Sequence, residues 1–389
     1  MIRKRIAVLG LVATAAAGSI SGCGGGSGSG DQGPPSVSGT LSVSGCVVVE
    51  GASTCSATVS WSTSGASSPV VLVGSATLST AASGSASVPI SGGSQTVTLL
   101  SGSQRLDERT VTASCVSASS WDGTTCLAFA IRVADRAPTP FFENGSPVTL
   151  EVVIYRPLGE GPFPAVLFNH GSTGNGDDPN QFTVTYTSES VAKFFAERGW
   201  LVAFPQRRGR GASDGIYDEG FTPDRSRYSC LQAPALAGFE HGLLDVDAAA
   251  DYLASRNDVD ASRMLSAGTS RGGILAIVHA ALRPDLFDGA VNFVGGWLGE
   301  GCQDALAVNR ATFLRGAGFS RPTLWLYSDN DSFYSLAHSR GNFDAFVAAG
   351  GTGTFQVFTR APTLNGHFLV NDPALWSGTL DAYLLQVTP

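Results

Sequence analysis

Two patterns of hydrophobic and polar positions divide the chain. Between residues 37 and 117, apolar residues alternate with Ser, Thr and Gly in short runs such as "CSATVSWSTSG" and "SPVVLVGSATLST". A period of two, interrupted by Gly- and Ser-rich turns, is typical of antiparallel strands in a small β-sandwich. Trp61 stands on one of these runs and is expected in the core. Residues 37–117 show no cluster of acids, histidines or aromatics that would carry chemistry, so we expect this module to be a spacer.

From residue 128 to residue 389 apolar runs alternate with helical periods. "PAVLFNHG" and "WLVAFPQ" are nearly continuous apolar runs, as in strands buried on both faces. "SESVAKFFAERG" and "LLDVDAAADYLASR" have the period of an amphipathic helix. The succession of strand and helix predicts an α/β domain, in which helices flank a mostly parallel sheet.

A third pattern precedes both regions. Basic residues at positions 3–5 are followed by an apolar stretch over residues 6–17, which is short for a membrane span and typical of an export signal. "ISGCGGG" resembles the lipobox of bacterial lipoproteins, which implies a signal peptide over residues 1–22, a lipidated Cys23 and a Gly/Ser linker over residues 23–36. We therefore expect a bacterial cell-envelope protein, lipid-anchored to a membrane and facing the periplasm or the cell surface. Ordinary secretion with loss of Cys23 is the alternative.

The cysteine count agrees with export. Seven cysteines are present, and six remain once Cys23 is set aside. An even number in an exported chain favours disulfides, and the absence of Cys-x-x-Cys spacing argues against a zinc site. Several connectivities are open, of which we prefer Cys46–Cys55, Cys115–Cys126 and Cys230–Cys302.

The charge of the chain argues against one class of partner. The net charge is −8 and the isoelectric point is about 5.1. Nucleic acid requires a basic face, so we expect no nucleic-acid partner. Electrostatic binding to anionic lipid is equally disfavoured.

The segment "AGTSRGG" places Ser270 between two glycines, after a predicted strand and before a predicted helix. Ligands collect at the carboxyl ends of parallel strands, and a sharp turn there accepts only small neighbours and presents the serine oxygen. Ser270 is therefore the candidate nucleophile, and the backbone N–H of Arg271 is a candidate oxyanion donor. The alternative is that Ser270 only caps the helix, since serine is a preferred N-cap.

A serine nucleophile needs a base, and the base needs an acid. Of the five histidines, His367 in "NGHF" follows the last predicted strand and lies at the same sheet edge as Ser270. "LYSDND" ends a strand with two acids, of which Asp331 is preferred and Asp329 is the alternative. The order Ser270, Asp331, His367 is the one expected for such a sheet.

Three further groups surround this constellation. In "HGSTGNG", Ser172 is the first choice for the second oxyanion donor and Thr173 the second, while His170 would fix the loop. The arginines of "QRRGRG" are expected to brace loops rather than to bind an acidic substrate. The aromatic residues Trp297 and Tyr334 either line the pocket or pack in the core. The arginines are Arg207, Arg208 and Arg210.

Taken in order, "NHGSTG", "FPQRRGRGASDG", "AGTSRGG", "LYSDND" and "NGHF" resemble the α/β-hydrolase superfamily, and within it the dienelactone hydrolase-like and prolyl-oligopeptidase-like esterases. Residues 37–117 resemble bacterial immunoglobulin-like domains in composition. Dienelactone hydrolases proper use cysteine where Ser270 stands, so the resemblance implies fold and ester chemistry but no particular substrate. It implies a serine esterase that acts on small-molecule esters through an acyl-enzyme, without metal or organic cofactor.

Two other functions stay open at this stage. One is a serine peptidase of the prolyl-oligopeptidase type, although such enzymes usually carry a large propeller and this chain has only a small module before the α/β region. The other is a surface binding or adhesion protein whose hydrolase fold is catalytically inert. The presence of all three candidate residues argues against that last reading.

Overall fold

A computed structural model describes residues 36–388, and residues 36–117 form two sheets that share one small core. One sheet has the order β1-β3-β6 and the other β2-β8-β7-β4-β5. All neighbouring strands are antiparallel except β2 and β8, which are parallel. The strands are β1 (Ser38–Val43), β2 (Cys46–Val48), β3 (Thr54–Ser64), β4 (Pro69–Val73), β5 (Ala76–Ser79), β6 (Ser83–Ser91), β7 (Gly93–Ser101) and β8 (Gln104–Cys115).

The alternating pattern of this region places every second side chain in the shared core. In β3 and β7 buried and exposed positions alternate, with Val59, Trp61, Val97 and Leu99 pointing inward. Trp61 is a core aromatic, as expected. The predicted antiparallel strands are thus present, whereas the likeness to immunoglobulin-like domains stays a prediction.

A short hairpin connects this region to the rest of the chain. It consists of β9 (Ser119–Trp121) and β10 (Cys126–Ala128). The hydroxyls of Ser117 and Tyr155 both donate hydrogen bonds to the carboxylate of Glu189, and the Ala118 N–H donates to its other oxygen. These bonds attach the connecting segment to the second region.

The second region is built on an eight-stranded sheet. Its order is β11-β12-β14-β13-β15-β16-β17-β18. The pairs β11–β12 and β12–β14 are antiparallel, and all later pairs are parallel, so the predicted mostly parallel sheet is confirmed. The strands are β11 (Ala130–Glu143), β12 (Ser146–Pro157), β13 (Phe163–Asn169), β14 (Leu201–Pro205), β15 (Val259–Thr269), β16 (Gly289–Phe293), β17 (Thr323–Ser328) and β18 (Gly353–Phe358).

Helices follow most of the parallel strands and cover the sheet. Every residue of β13, β14, β16 and β17 is buried, which is what their continuous apolar sequences require. β11 and α4 were not predicted from the sequence. The helices are α1 (Glu189–Ala196), α2 (Gln232–Ala254), α3 (Arg271–Leu282), α4 (Ala305–Leu314), α5 (Leu336–Ala348) and α6 (Pro373–Val387), with short 3-10 helices at Pro179–Gln181, Arg315–Gly318 and Gly366–Asn371.

The predicted signal peptide, the lipidation candidate Cys23 and the linker up to residue 35 lie outside the described residues. None of the helices within residues 36–388 is both long enough and apolar enough to span a bilayer. In the same part of the chain no group of three or more His, Cys, Asp or Glu side chains is arranged so that it could hold a metal ion.

Candidate active site

Ser270 stands at a sharp turn between β15 and α3. Its backbone has φ 55° and ψ −123°, a combination that costs a non-glycine residue about 1–3 kcal/mol and persists only where the surroundings enforce it. Its N–H donates to Phe293 O, and its carbonyl accepts from Gly273 N and Gly296 N. The side chain makes no capping hydrogen bond to α3, so the helix-cap role considered above is not what the structure shows.

The glycines on either side of Ser270 are required by close backbone contacts. A Cβ at Gly272 would lie 2.0 Å from Asn169 O, and a Cβ at Gly268 would lie 2.3 Å from Gly272 O. Such distances are far inside van der Waals contact. The Gly-Thr-Ser-Arg-Gly sequence therefore allows β13, β15 and α3 to meet at one point.

Asp331 and His367 are hydrogen-bonded in the loops that follow β17 and β18. His367 Nδ1 lies 2.9 Å from Asp331 Oδ2. The other carboxylate oxygen accepts from the N–H groups of Phe333 and Tyr334 at 2.7 and 3.1 Å. The Asp331 side chain is fully buried, and that of His367 is 10 % exposed. An Asp held in this way fixes the Nδ1–H tautomer and leaves His367 Nε2 as the proton acceptor.

Asp329 has a different partner. Its Oδ2 accepts a hydrogen bond from the Thr359 hydroxyl at 2.6 Å, and it makes no bond to His367. Of the two acids that the sequence offered, the structure therefore brings Asp331 to the imidazole.

Three of the other four histidines lie within helices. His241 belongs to α2, His279 belongs to α3 and contacts Asp247, and His338 belongs to α5 and accepts a hydrogen bond from Asn309.

Ser270 and His367 are not directly hydrogen-bonded in the described structure. Both lie near Tyr334, which lines the cavity together with Ser270 and whose ring centre is 5.7 Å from that of His367. Hydrogen bonds between catalytic groups are often long without substrate and tighten when the substrate binds.

The end of β13 reaches Ser270 from the other side. A Cβ on Gly171 would lie 3.0 Å from Ser270 Cβ and 3.5 Å from its Oγ, so the Gly171–Ser172 backbone passes directly beside the nucleophile. The N–H of Thr173, the second choice for a donor, is instead bound to the Tyr228 hydroxyl at 3.1 Å. Ser172 therefore remains the better candidate for the second oxyanion donor, opposite the N–H of Arg271.

His170 fixes this loop, as the sequence suggested. It is fully buried, its Nδ1 lies 2.7 Å from Gly171 O, and its Nε2 accepts from Arg207 N at 3.2 Å. Burial, together with the nearby guanidinium groups of Arg207 and Arg210, lowers the pKa of His170 well below its ordinary value. The ring is therefore neutral and serves as a bracket between two loops.

A buried network of charged side chains adjoins the Ser270 turn. The Glu219 carboxylate binds Arg207 Nε at 2.5 Å and Arg271 Nη1 at 3.1 Å, and all three side chains are almost completely buried. The Arg271 guanidinium also packs over the rings of Tyr228 and Trp297. Arg207 and Arg208 brace loops through ion pairs with carboxylates, as expected from the sequence.

A cavity of about 610 Å³ opens over Ser270. Trp297 and Tyr334 line this cavity, which is one of the two roles that the sequence left open for them. The Cys230–Cys302 disulfide lies on the same wall and joins the loop before α2 to the loop before α4. The structure pairs the six described cysteines as expected from the sequence, with the other two disulfides at Cys46–Cys55 and Cys115–Cys126.

One residue of this arrangement was not predicted from the sequence. Glu219 stands in an irregular loop, and only its contacts with two distant arginines show its importance.

Comparison with known proteins gives limited matches. A search of curated proteins by sequence finds none. Among solved structures the chain is similar to an esterase from Pyrococcus furiosus (14% identity, 67% of this chain and 92% of that chain, TM-score 0.46). It is also similar to a carboxylesterase cloned from a metagenomic library (16%, 67% and 90%, 0.44) and to a dienelactone hydrolase from Anabaena variabilis (17%, 66% and 97%, 0.41). The prolyl oligopeptidase family model matches residues 240–302, a segment that runs from within α2 through the Ser270 turn to Cys302.

Proposed function

We propose that the chain is a serine hydrolase that cleaves carboxylic esters. The observation that carries this proposal is the strained, uncapped Ser270 turn at the wall of a cavity, at the same edge of the sheet as the hydrogen-bonded Asp331–His367 pair. A nucleophile, a base and an acid at one sheet edge are the parts that acyl transfer needs.

The proposed reaction has two halves. As Ser270 Oγ attacks the ester carbonyl carbon, His367 Nε2 takes the serine proton and Asp331 stabilises the imidazolium. The N–H groups of Arg271 and Ser172 bind the oxyanion, and His367 then protonates the departing alcohol. Water attacks the acyl-enzyme with the same proton transfers, which releases the acid and restores Ser270.

Short-chain nitrophenyl esters test this proposal. Ser270→Ala and His367→Ala should each lower kcat by about 10⁴- to 10⁶-fold, and Asp331→Asn by about 10⁴-fold. Asp329→Asn is the matched control and should keep kcat within about threefold of wild type, because Asp329 binds only Thr359. A wild type that hydrolyses no ester, or a Ser270→Ala variant with full activity, would refute the proposal and favour an inert binding protein.

A peptidase of the prolyl-oligopeptidase type is the second candidate. The family match over residues 240–302 is the observation that favours it. Peptide nitroanilides measured beside the esters distinguish the two functions. A kcat/KM at least tenfold higher for the peptides than for the esters would replace the ester assignment.

We also propose that the protein is exported and anchored through a lipid on Cys23. The lipobox-like sequence and the three disulfides, which persist in oxidising compartments, support this proposal. Detergent-phase partitioning of cells expressing wild type and Cys23→Ser provides the test. Equal membrane association of the two forms would contradict lipid anchoring.

A further inference from the structure

The two proposed oxyanion donors belong to two peptide groups beside Ser270. The N–H of Ser172 shares its peptide plane with the Gly171 carbonyl. The N–H of Arg271 shares its plane with the Ser270 carbonyl. Neither N–H donates to another main-chain group within residues 36–388. Because a trans peptide points its N–H and its C=O in opposite directions, whatever holds each carbonyl also sets the direction of the N–H that would bind the oxyanion.

The Ser270 carbonyl is held by the backbone. It accepts from the N–H groups of Gly273 at 2.9 Å and Gly296 at 3.2 Å. Gly273 lies in the first turn of α3, and Gly296 lies in the loop that follows β16. Both donors are main-chain groups, so the direction of the Arg271 N–H is set without help from side chains.

The Gly171 carbonyl is held by side chains instead. Arg207 Nη2 donates to it at 3.2 Å, and His170 Nδ1 lies 2.7 Å from it. Since His170 Nε2 accepts from the Arg207 N–H, the proton of the neutral ring is on Nδ1 and is also donated to the Gly171 oxygen. No main-chain N–H within residues 36–388 donates to that oxygen. The direction of the Ser172 N–H therefore depends on these two side chains.

All three nitrogens of the Arg207 guanidinium are engaged at once. Nε donates to Glu219 Oε1 at 2.5 Å, Nη1 donates to His170 O at 2.9 Å, and Nη2 donates to Gly171 O. The Arg207 side chain is only 2 % exposed, and the other oxygen of Glu219 is bound by Arg271. A planar guanidinium bound at each nitrogen keeps one orientation, so it presents Nη2 to the Gly171 carbonyl in a fixed direction.

We propose that Arg207 is a positioning residue, which holds the Gly171–Ser172 peptide with its N–H turned towards the substrate carbonyl oxygen. This inference rests on the proposed ester hydrolysis. In the reversed orientation of this peptide, its carbonyl rather than its N–H would face the oxyanion, and two negatively polarised oxygens would meet beside Ser270. Glycine lacks a Cβ and allows its neighbouring peptide to rotate, so the orientation has to be enforced from outside. Arg207 does not line the cavity and acts only through this peptide.

Arg207→Lys tests this inference. Lysine keeps the positive charge beside Glu219, but its single ammonium nitrogen cannot occupy the three positions of the guanidinium. We expect kcat on nitrophenyl acetate to fall about ten- to hundredfold with KM within about twofold of wild type, somewhat less than for the loss of a whole oxyanion donor. Rates are expressed per Ser270 titrated with a fluorophosphonate, so that unfolded molecules do not contribute.

A thionoester separates the orientation of the peptide from a general loss of structure. Its sulfur is larger than oxygen and accepts hydrogen bonds more weakly, so the thionoester gains less from an N–H aimed at the oxyanion. The ratio of kcat/KM for the ester to kcat/KM for the thionoester should therefore fall by about tenfold in Arg207→Lys. A merely structural role would slow both substrates alike and leave this ratio unchanged.

Arg208→Lys is the matched control. Arg208 is also buried and also pairs with a carboxylate, since its Nε lies 2.6 Å from Asp245 Oδ1, but it makes no hydrogen bond to the loop after β13. This variant should lower Tm but keep kcat and the ester-to-thionoester ratio within about twofold of wild type. His170→Phe is the second test variant, because it removes the other donor to the Gly171 oxygen and keeps a buried ring. It should lower the same ratio.

Arg207→Lys with the wild-type kcat would overturn this inference alone, and so would a lower kcat with an unchanged ester-to-thionoester ratio. If Arg207→Lys yields no Ser270 that can be titrated, His170→Phe decides: a lower ratio supports the inference, and the wild-type ratio overturns it. A wild type that neither hydrolyses esters nor reacts with the fluorophosphonate would instead refute the proposed function.

Discussion

The two regions of the molecule bury different kinds of side chain. Before residue 129, the described chain contains no buried polar or charged side chain, and its core is made of small aliphatic residues around Trp61. From residue 151 onward, the core also encloses carboxylates, guanidinium groups, amides and imidazoles, many of them near the carboxyl ends of β13 to β18. In both regions the apolar positions of the sequence pattern are buried, but only the second region also buries charged side chains.

Enclosed charge is costly unless it is paired and hydrogen-bonded, so its presence needs an explanation. Arg207, Glu219 and Arg271 meet under the Ser270 turn, where Arg271 also supplies the proposed oxyanion donor. In the first region, the ion pair of Arg105 with Glu108 lies on the surface. We infer that burying these charged side chains costs the second region some stability, and that the network holds the Ser270 turn in its strained form.

The largest effect should come from removing the charge of Glu219. Glu219→Gln leaves Arg207 and Arg271 buried without their shared carboxylate and should lower the free energy of unfolding by about 3–5 kcal/mol. Glu108→Gln, at the exposed pair with Arg105, should change it by less than about 1 kcal/mol. Urea unfolding of both variants gives the comparison. Equal changes in the free energy of unfolding for the two variants would show that the buried and the exposed ion pairs do not differ in their contribution to stability.

A smaller difference is expected between the disulfides. Removing Cys230–Cys302, which closes a separation of 72 residues, should cost about 4 kcal/mol, and removing Cys46–Cys55, with a separation of 9, about 3 kcal/mol. Only the first bond lies on the cavity wall, so only its removal should also raise KM. Paired Cys→Ser variants, compared by thermal unfolding and ester kinetics, test both points. A change of KM on losing Cys46–Cys55 would show that the regions are coupled.

The smallest effect concerns pH. The pKa of His170 in the folded protein is well below its ordinary value, so the unfolded chain binds the extra proton first as the pH falls. Its stabilising contribution is complete above about pH 6.5 and decreases as the pH falls below that value. His170→Gln should flatten the dependence of unfolding free energy on pH by about 1 kcal/mol between pH 6.5 and 5. A slope identical to that of wild type would mean that His170 is not the buried neutral group described.

The sequence predicted those features that depend on local pattern. Continuous apolar runs identified β13 and β14, and the glycines around Ser270 indicated a sharp turn. The choice between Asp329 and Asp331 needed the structure, because both follow the same strand and only loop geometry brings one of them to His367. Glu219 could not be identified, since its contacts join residues far apart in the chain. β11 was missed because most of its positions are exposed or half-exposed, and its pattern resembles a loop.

The bonds from Ser117, Ala118 and Tyr155 to Glu189 determine where the chain could be cut for domain exchange. Glu189 opens α1, directly after the N-cap Ser188, so its carboxylate lies where a helix favours negative charge. A chimera joined at residue 128 would discard two of its three donors. A fusion point before Cys115 keeps all three bonds to Glu189 and also the Cys115–Cys126 disulfide, so a foreign module grafted there would leave the connecting segment as it is in the native chain.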